Sequence, residues 1–540
     1  MRSQPWWRGA VIYQIYPRSF MDTNADGVGD IPGIVQKLDY IASLGVDAIW
    51  ISPFFKSPMH DFGYDISDYR DVDPLFGTLD DFDLLIDEAH KRGIKVMIDQ
   101  VLSHTSAEHE WFKESRQSRD NPKADWYVWA DPNEDGTPPN NWLAIFGGSA
   151  WEWDSRRGQY YLHNFLKSQP DLNFHCEDVQ NQILQEVEFW LKRGVDGLRL
   201  DAINFCFHDK QLRNNPPKSA SERKARGFSE DNPYAFQWHT YNNTQPENLA
   251  FLQRLRSLMD KYPNTVTLGE ISSDDSLATM AEYTADNDKL HMAYSFELLA
   301  DEFSAAYIRE TVGTLESRLN DGWPCWSIGN HDVPRVASRW GKEDACDALS
   351  IVLNAMLLSL RGSVCCYQGE ELGLKEAELT FEQLQDPYGI TFWPKFKGRD
   401  GCRTPMPWDS QQHAGFSNGA PWLPVADDHK AKNVTVQQQA DLSVLQAYKQ
   451  FIAWRKTQPE ILYGDIAFLS SHESTLAFTR SYEGSTLFAA FNLSNTEQVV
   501  NLPAGEWTAL EGHGLSAAVS ATQITLPPFG GFFAKQASNS

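Results

Sequence analysis

Cysteine is scarce: seven occur in 540 residues, at positions 176, 206, 325, 346, 365, 366 and 402, an odd number with no C-x-x-C spacing. That pattern excludes a disulfide framework and a cysteine-ligated zinc site, and it suits reduced thiols in a cytoplasm. Basic side chains are the next shortage, 47 Lys and Arg against 73 Asp and Glu, for a formal charge of −26. So acidic a chain repels phosphate backbones and anionic headgroups, which speaks against nucleic acid and membrane partners. No apolar run reaches the ~18 residues that would span a bilayer. The opening MRSQPWWRGAVIYQIYP lacks an apolar core ahead of a small-residue cleavage site, so it does not read as a secretory signal. Nothing in the sequence asks for an organic cofactor. The expectation is a cytoplasmic protein, monomeric or homodimeric.

Apolar residues are not lacking: at 41% they can bury a sizeable core, and with 22% charged residues they exclude a disordered or fibrous chain. The length exceeds one core and suggests roughly three or four units. Eight short apolar runs recur along the chain: 11–17, 47–53, 95–104, 197–203, 265–271, 291–297, 326–332 and 363–371. Helical patterns such as GIVQKLDYIASLG, DDFDLLIDEAHKRG and VQNQILQEVEFWLKRG lie between them, the last two closed by glycine. Eight βα units predict an α/β fold, a closed (β/α)8 barrel.

The gap between the third and fourth runs is too long for one crossover helix, and 105–175 is rich in Trp, Asn, Asp, Pro and Gly. Beyond about residue 460 the pattern alternates like antiparallel strands. The predicted organisation is therefore a barrel over 1–104 and 176–459, an inserted domain at 105–175 and a C-terminal β-sandwich at 460–540.

In such barrels the chemistry gathers where strands end. Run three holds Asp99 with His104 beyond it, run four Arg199 and Asp201, run five Glu270, and run seven His331 and Asp332. A charge inside an apolar strand costs several kcal/mol unless paired. One such carboxylate is as readily a structural ion pair; four strands carrying them suggest acid/base or nucleophilic work. Two carboxyl groups about 5 to 5.5 Å apart can cleave a glycosidic bond with retention. Asp201 suits the nucleophile, because Arg199 two residues earlier points to the same strand face and would hold its pKa low. Glu270, after the apolar TVTLG, suits the proton donor, its pKa raised by desolvation and a like-charged neighbour.

These segments resemble the α-amylase family of glycoside hydrolases, family 13. DQVLSHTS, GLRLDAIN, GEIS and IGNHD are similar to its four signature segments in order, and QPDLN to a fifth. SPMHDFGYDISDY, FGGSAWEWDSRRGQYYLHNF, YQGEELG and GRDGCRTPMPW resemble its oligo-1,6-glucosidase and α-glucosidase subgroup. The resemblance implies Asp201 as nucleophile, Glu270 as acid/base and Asp332 as the residue that holds the 2- and 3-hydroxyls. It implies His104, His331 and Arg199 around the −1 sugar, Tyr64 stacking on its face, and Asp99 bracing the site. Asp61 and Arg399 look like the pair that grips the terminal 4-hydroxyl and closes the pocket, which means exo action on small α-glucosides such as maltose. Transporter-associated relatives of the family are non-catalytic membrane proteins; the three carboxylates and the absence of a span argue against that alternative.

Some positions depart from the pattern. Ser103 stands where an asparagine commonly ligates calcium. DTNADGVGD instead spaces Asp22, Asn24, Asp26, the Val28 carbonyl and Asp30 like a cation loop, though Gly33 replaces the closing glutamate. A structural Ca or Mg is expected there. Ala202, after the nucleophile, leaves room for a 1,4-linked aglycone, whereas QPDLN leans to the 1,6 side; oligo-1,6-glucosidase and sucrose isomerase stay open as alternatives. The polar connection 207–245 is expected to shape the acceptor site and to favour transfer to sugars or alcohols over hydrolysis.

Overall fold

A computed structural model describes residues 4–223, 231–520 and 522–537. Its centre is a closed barrel of eight parallel strands: β1 Val11–Ile15, β2 Ala48–Ile51, β3 Lys95–Val101, β4 Gly197–Asp201, β5 Val266–Ile271, β6 Met292–Ser295, β7 Trp323–Trp326 and β8 Ser363–Tyr367. Each strand pairs with its sequence neighbours and β1 closes on β8. β1 and β8 are buried at every position, as expected of parallel strands covered on both faces.

The helices dress the outside through one apolar face each. Leu79–Lys91 starts at a capping box made by Thr78 and Asp81 and buries Phe82, Leu85, Ile86 and Ala89, spaced for one side of a helix. Glu177–Lys192 buries Val179, Ile183, Val187 and Trp190 in the same way. The glycines after them, Gly93 and Gly194, take positive φ of 71° and 94°, as a left-handed helix stop requires. The single helix expected over GIVQKLDYIASLG is broken into Ile31–Gln36 and Leu38–Leu44 at Lys37, whose φ/ψ of −102°/8° is not helical.

The seventh run is corrected. The strand there is Trp323–Trp326, and 327–332 is the loop that leaves it. Pro324 lies inside this strand, where proline argues against a strand reading. His331 and Asp332 therefore sit on a loop above the barrel and not on a strand.

After β3 the chain forms a three-stranded antiparallel sheet from Trp129–Ala130, Trp151–Asp154 and Gln159–Leu162. It returns against the barrel through a bridge between His104 and Asp171. At the C-terminus a five-stranded and a three-stranded antiparallel sheet face each other. Along Ser485–Asn492 alternate residues serve two cores: Phe488 and Ala490 pack with Ile524 and Leu526 of the second sheet, whereas Leu487, Ala489 and Phe491 face the main core. All seven cysteines are free thiols. Among the described residues no helix is long and apolar enough to cross a membrane.

Candidate active site

Four adjacent strands aim polar side chains at one point. Register sets Asp99 of β3 beside Arg199 of β4, and Glu270 of β5 beside Tyr294 of β6. Arg199 and Asp201 share a face because they are two residues apart on one strand. The guanidinium of Arg199, fully buried, is the hub. Its Nη1 donates to Asp201 Oδ1 at 2.7 Å and Asp99 Oδ1 at 2.9 Å. Its Nη2 donates to Glu270 Oε1 at 2.5 Å and to the Tyr294 hydroxyl at 2.8 Å. A planar fork of five donors suits such bridging, which a point charge could not reproduce.

The second oxygen of Glu270 accepts the backbone N–H of Ala202 at 3.1 Å. Ala202 reaches that position by adopting φ 40°, ψ 45°, a left-handed conformation that non-glycine residues seldom take. The turn after Asp201 thus fixes the neighbouring carboxylate.

A relay supports this group from below. Gln14 Nε2 donates to His331 Nδ1 at 2.8 Å, which places the ring proton on Nε2, and Nε2 lies 2.6 Å from the Tyr64 hydroxyl. Tyr64 in turn donates to Asp99 Oδ2 at 3.0 Å. Tyr64 and His331 stack, with ring planes 6° apart. Asp332 Oδ1 accepts from Arg403 at 3.1 Å and Arg399 at 3.3 Å.

One wall is an ion-pair cluster. Arg399 Nη2 donates to Asp61 Oδ1 at 2.9 Å, and its Nε and Nη2 grip both oxygens of Asp386. Gln169, from QPDLN, ties Asp61 Oδ2 at 3.0 Å to the Tyr64 carbonyl at 3.2 Å. His104 Nε2 meets the same carbonyl at 2.9 Å, with Ser103 Oγ 2.9 Å from its Nδ1.

Eight of the nine sugar-site residues expected from sequence line one cavity: Asp61, Tyr64, His104, Asp201, Glu270, His331, Asp332 and Arg399. Arg199 lies beneath it. The cavity's apolar sides are Phe146, Phe165, Phe205, Phe296 and Tyr388. These aromatics went unread in the sequence, as did Asp386, Arg403 and Tyr294; the paired arginines of GRDGCR were the available signal for Arg403.

The electrostatics divide the carboxylates. Burial pushes Glu270 up to about 8, with Asp201 and Asp332 adding to the rise and Arg199 opposing it. Asp201 is also raised, to about 7, because burial outweighs the pull of Arg199. This corrects the expectation that Arg199 holds Asp201 low: the fork is shared with Asp99 and Glu270. Asp332 goes the other way. Burial works upward on it and is outweighed by His331, Arg399 and Arg403, leaving it well below the usual carboxylate range. Burial lowers His104 to about 4, so its ring is neutral.

In the 22–30 loop, Asp22 Oδ1 accepts the N–H of Asn24 and Ala25, Asn24 Oδ1 that of Asp26, and Asp26 Oδ1 that of Val28, each near 3.0 Å. Asp30 is turned to Thr23 and to Gly33, where it caps a helix. Among the described residues no group of three or more His, Cys, Asp and Glu side chains is clustered, and in this loop Asn24 and the Val28 carbonyl are further oxygen donors beside the three aspartates.

Residues 14–464 match the α-amylase catalytic domain. The chain is 55% identical over 536 residues to a probable alpha-glucosidase of Rhizobium meliloti, covering 98% of this chain and 97% of that one. It is 39% identical to an oligo-1,6-glucosidase of Heyndrickxia coagulans, covering 94% and 96%. Its structure superposes on the alpha-glucosyl transfer enzyme XgtA with a TM-score of 0.98 at 63% identity, covering 99% and 100%. The chain belongs to the α-amylase family of glycoside hydrolases, as an enzyme of its α-glucosidase type.

Proposed function

We propose that the protein is a retaining exo-α-glucosidase that acts on the terminal α-1,4-linked glucose of maltose and other small α-glucosides. Asp201 attacks the anomeric carbon while Glu270 protonates the leaving oxygen; water or an acceptor, deprotonated by Glu270, then releases the glucosyl group from Asp201. The observation that carries this reading is the single Arg199 fork holding both carboxylates. The order of their pKa values, about 7 for Asp201 and about 8 for Glu270, supports the same division of roles. Asp332, ionised beside two arginines, is suited to accept hydroxyl hydrogen bonds from the sugar that strengthen as charge develops on the ring.

Exo action rests on the Asp61–Arg399–Asp386 cluster, whose polar groups in one wall of the cavity would hold the end of a sugar chain. Glucosyl transfer to sugars or alcohols rests on a second cleft. Ser272 and Phe296 line both it and the catalytic cavity, and Lys218, Trp238 and His239 from the long connection flank it. Of that connection, residues 224–230 lie outside the described residues. An NMR time course on maltose with and without added methanol tests the whole reading: α-glucose first, and methyl α-glucoside when methanol is present. Release of the non-reducing-end glucose as the β-anomer, or formation of methyl β-glucoside, would refute retention.

The structural cation is part of the same proposal. Asp22, Asn24, Asp26, the Val28 carbonyl and Asp30 would hold it, and the succession of side-chain turns across 22–28 is the supporting feature. The cation would brace the loop after β1. Addition of Ca or Mg to chelator-treated protein should raise Tm in proportion to the logarithm of its concentration. An unchanged Tm would remove the cation from the account. A monomeric or homodimeric cytoplasmic enzyme completes the proposal.

A further inference from the structure

Behind the loop that carries His331 and Asp332 lies a second polar cell, sharing no lining residue with the catalytic cavity. Glu370, just past the end of β8, is 6% exposed; the backbone N–H of Tyr367 approaches its carboxyl, but no well-formed hydrogen bond reaches either oxygen among the described residues. Two donors are orphaned beside it in the same way, Asn330 Nδ2 and Arg335 Nε. All three side chains face a space of about 10 Å³. Buried donors and acceptors left unpaired are costly, and a space of this size is the smallest that admits one water. The groups are complementary: two N–H donors and one carboxyl acceptor surround the space.

The rest of the packing makes the cell a joint. Glu370 Oε1 lies so close to Gly329 that a Cβ there would come within 2.2 Å of it, so the carboxyl rests on the loop backbone. Asn330 Oδ1 accepts the backbone N–H of Asp332 at 2.8 Å. Arg335 holds the far side through Nη1 to the Gln368 carbonyl at 2.9 Å and Nη2 to the Cys402 carbonyl at 3.2 Å.

We infer that Glu370, Asn330 and Arg335 form a binding site for one buried water, and that Glu370, through this water and Asn330, is a positioning residue for Asp332. The water accepts from Asn330 and Arg335 and donates to Glu370, so the end of β8 sets the height of the loop from β7. Glu370 touches no substrate.

The water itself is tested by a high-resolution crystal structure of the full chain, independently of any role in turnover. Density for one water within hydrogen-bond reach of all three groups is expected; a dry cell overturns the proposal. The positioning role rests on the reading of Asp332 given above and is tested by kinetics on p-nitrophenyl α-glucoside. Glu370→Leu, which cannot hold the water, should lower kcat about 10- to 100-fold with KM little changed, as for a misplaced transition-state contact. Glu370→Gln, which can hold it, should stay near wild type. Wild-type kcat in Glu370→Leu, or equal loss in both variants, would overturn the positioning role.

Discussion

Arg199 Nη1 and Nη2 contact Asp201 and Glu270 at 2.7 and 2.5 Å, so one rigid cation sets the relation between the two carboxylates. A lysine keeps the charge and loses the fork. Arg199→Lys should lower kcat/KM for p-nitrophenyl α-glucoside by about 100-fold, as expected when reacting groups lose their alignment. Circular dichroism should show the fold retained. Near-wild-type turnover would mean that charge alone suffices.

The pH profile of kcat/KM should be bell-shaped. The proposed mechanism needs Asp201 ionised and Glu270 protonated. Activity is therefore lost as pH falls through about 7 and Asp201 gains its proton, and again as pH rises through about 8 and Glu270 loses its own. The two limbs belong to the coupled pair. Glu270→Gln, assayed with α-glucosyl fluoride, whose fluoride leaves without a proton, and with azide as the accepting nucleophile, should lose the alkaline limb and keep the acid one. A profile flat from pH 6 to pH 9 would contradict these assignments.

Asp61 and Arg399 make a buried pair that also binds Asp386. Asp61→Asn removes one charged acceptor and leaves Arg399 held by Asp386. Loss of a hydrogen bond to a charged group is worth about 1.5–3 kcal/mol. The variant should lose roughly 10- to 100-fold in kcat/KM on maltose, and its preference for a terminal glucose over internal bonds should weaken. An unchanged kcat/KM with maltose would detach this pair from sugar binding.

Ala202 combines two constraints, a left-handed backbone and a place in the lining of the cavity. Ala202→Val adds two methyls where branching is strained, at a cost of about 1–3 kcal/mol. Its Tm should fall, and the ratio of kcat/KM for isomaltose over maltose should rise by no more than about 200-fold. Ala202→Gly should hold or raise Tm. A valine variant as stable as the parent would mean that the turn relaxes.

The strand-borne part of the site was legible in the sequence because an ionisable residue inside an apolar run needs a partner: Asp99, Arg199, Asp201 and Glu270 were visible that way. The barrel was legible from eight apolar runs, with one error of position at Pro324, where a proline inside a fully buried strand hid β7. Asp386 and Arg403 were not legible, since each lies on a long loop and gains meaning only through contact with Arg399 or Asp332. The raised pKa of Asp201 was missed for a related reason: neighbours in sequence show Arg199 but not its division among three carboxylates.

Covalent trapping tests the central claim most directly. Incubation with 5-fluoro-α-glucosyl fluoride, whose departure from the enzyme is slow, should attach one fluoroglucosyl unit, and mass spectrometry of a digest should place it on Asp201. A label on any other carboxylate, or inactivation with no covalent adduct, would contradict the account.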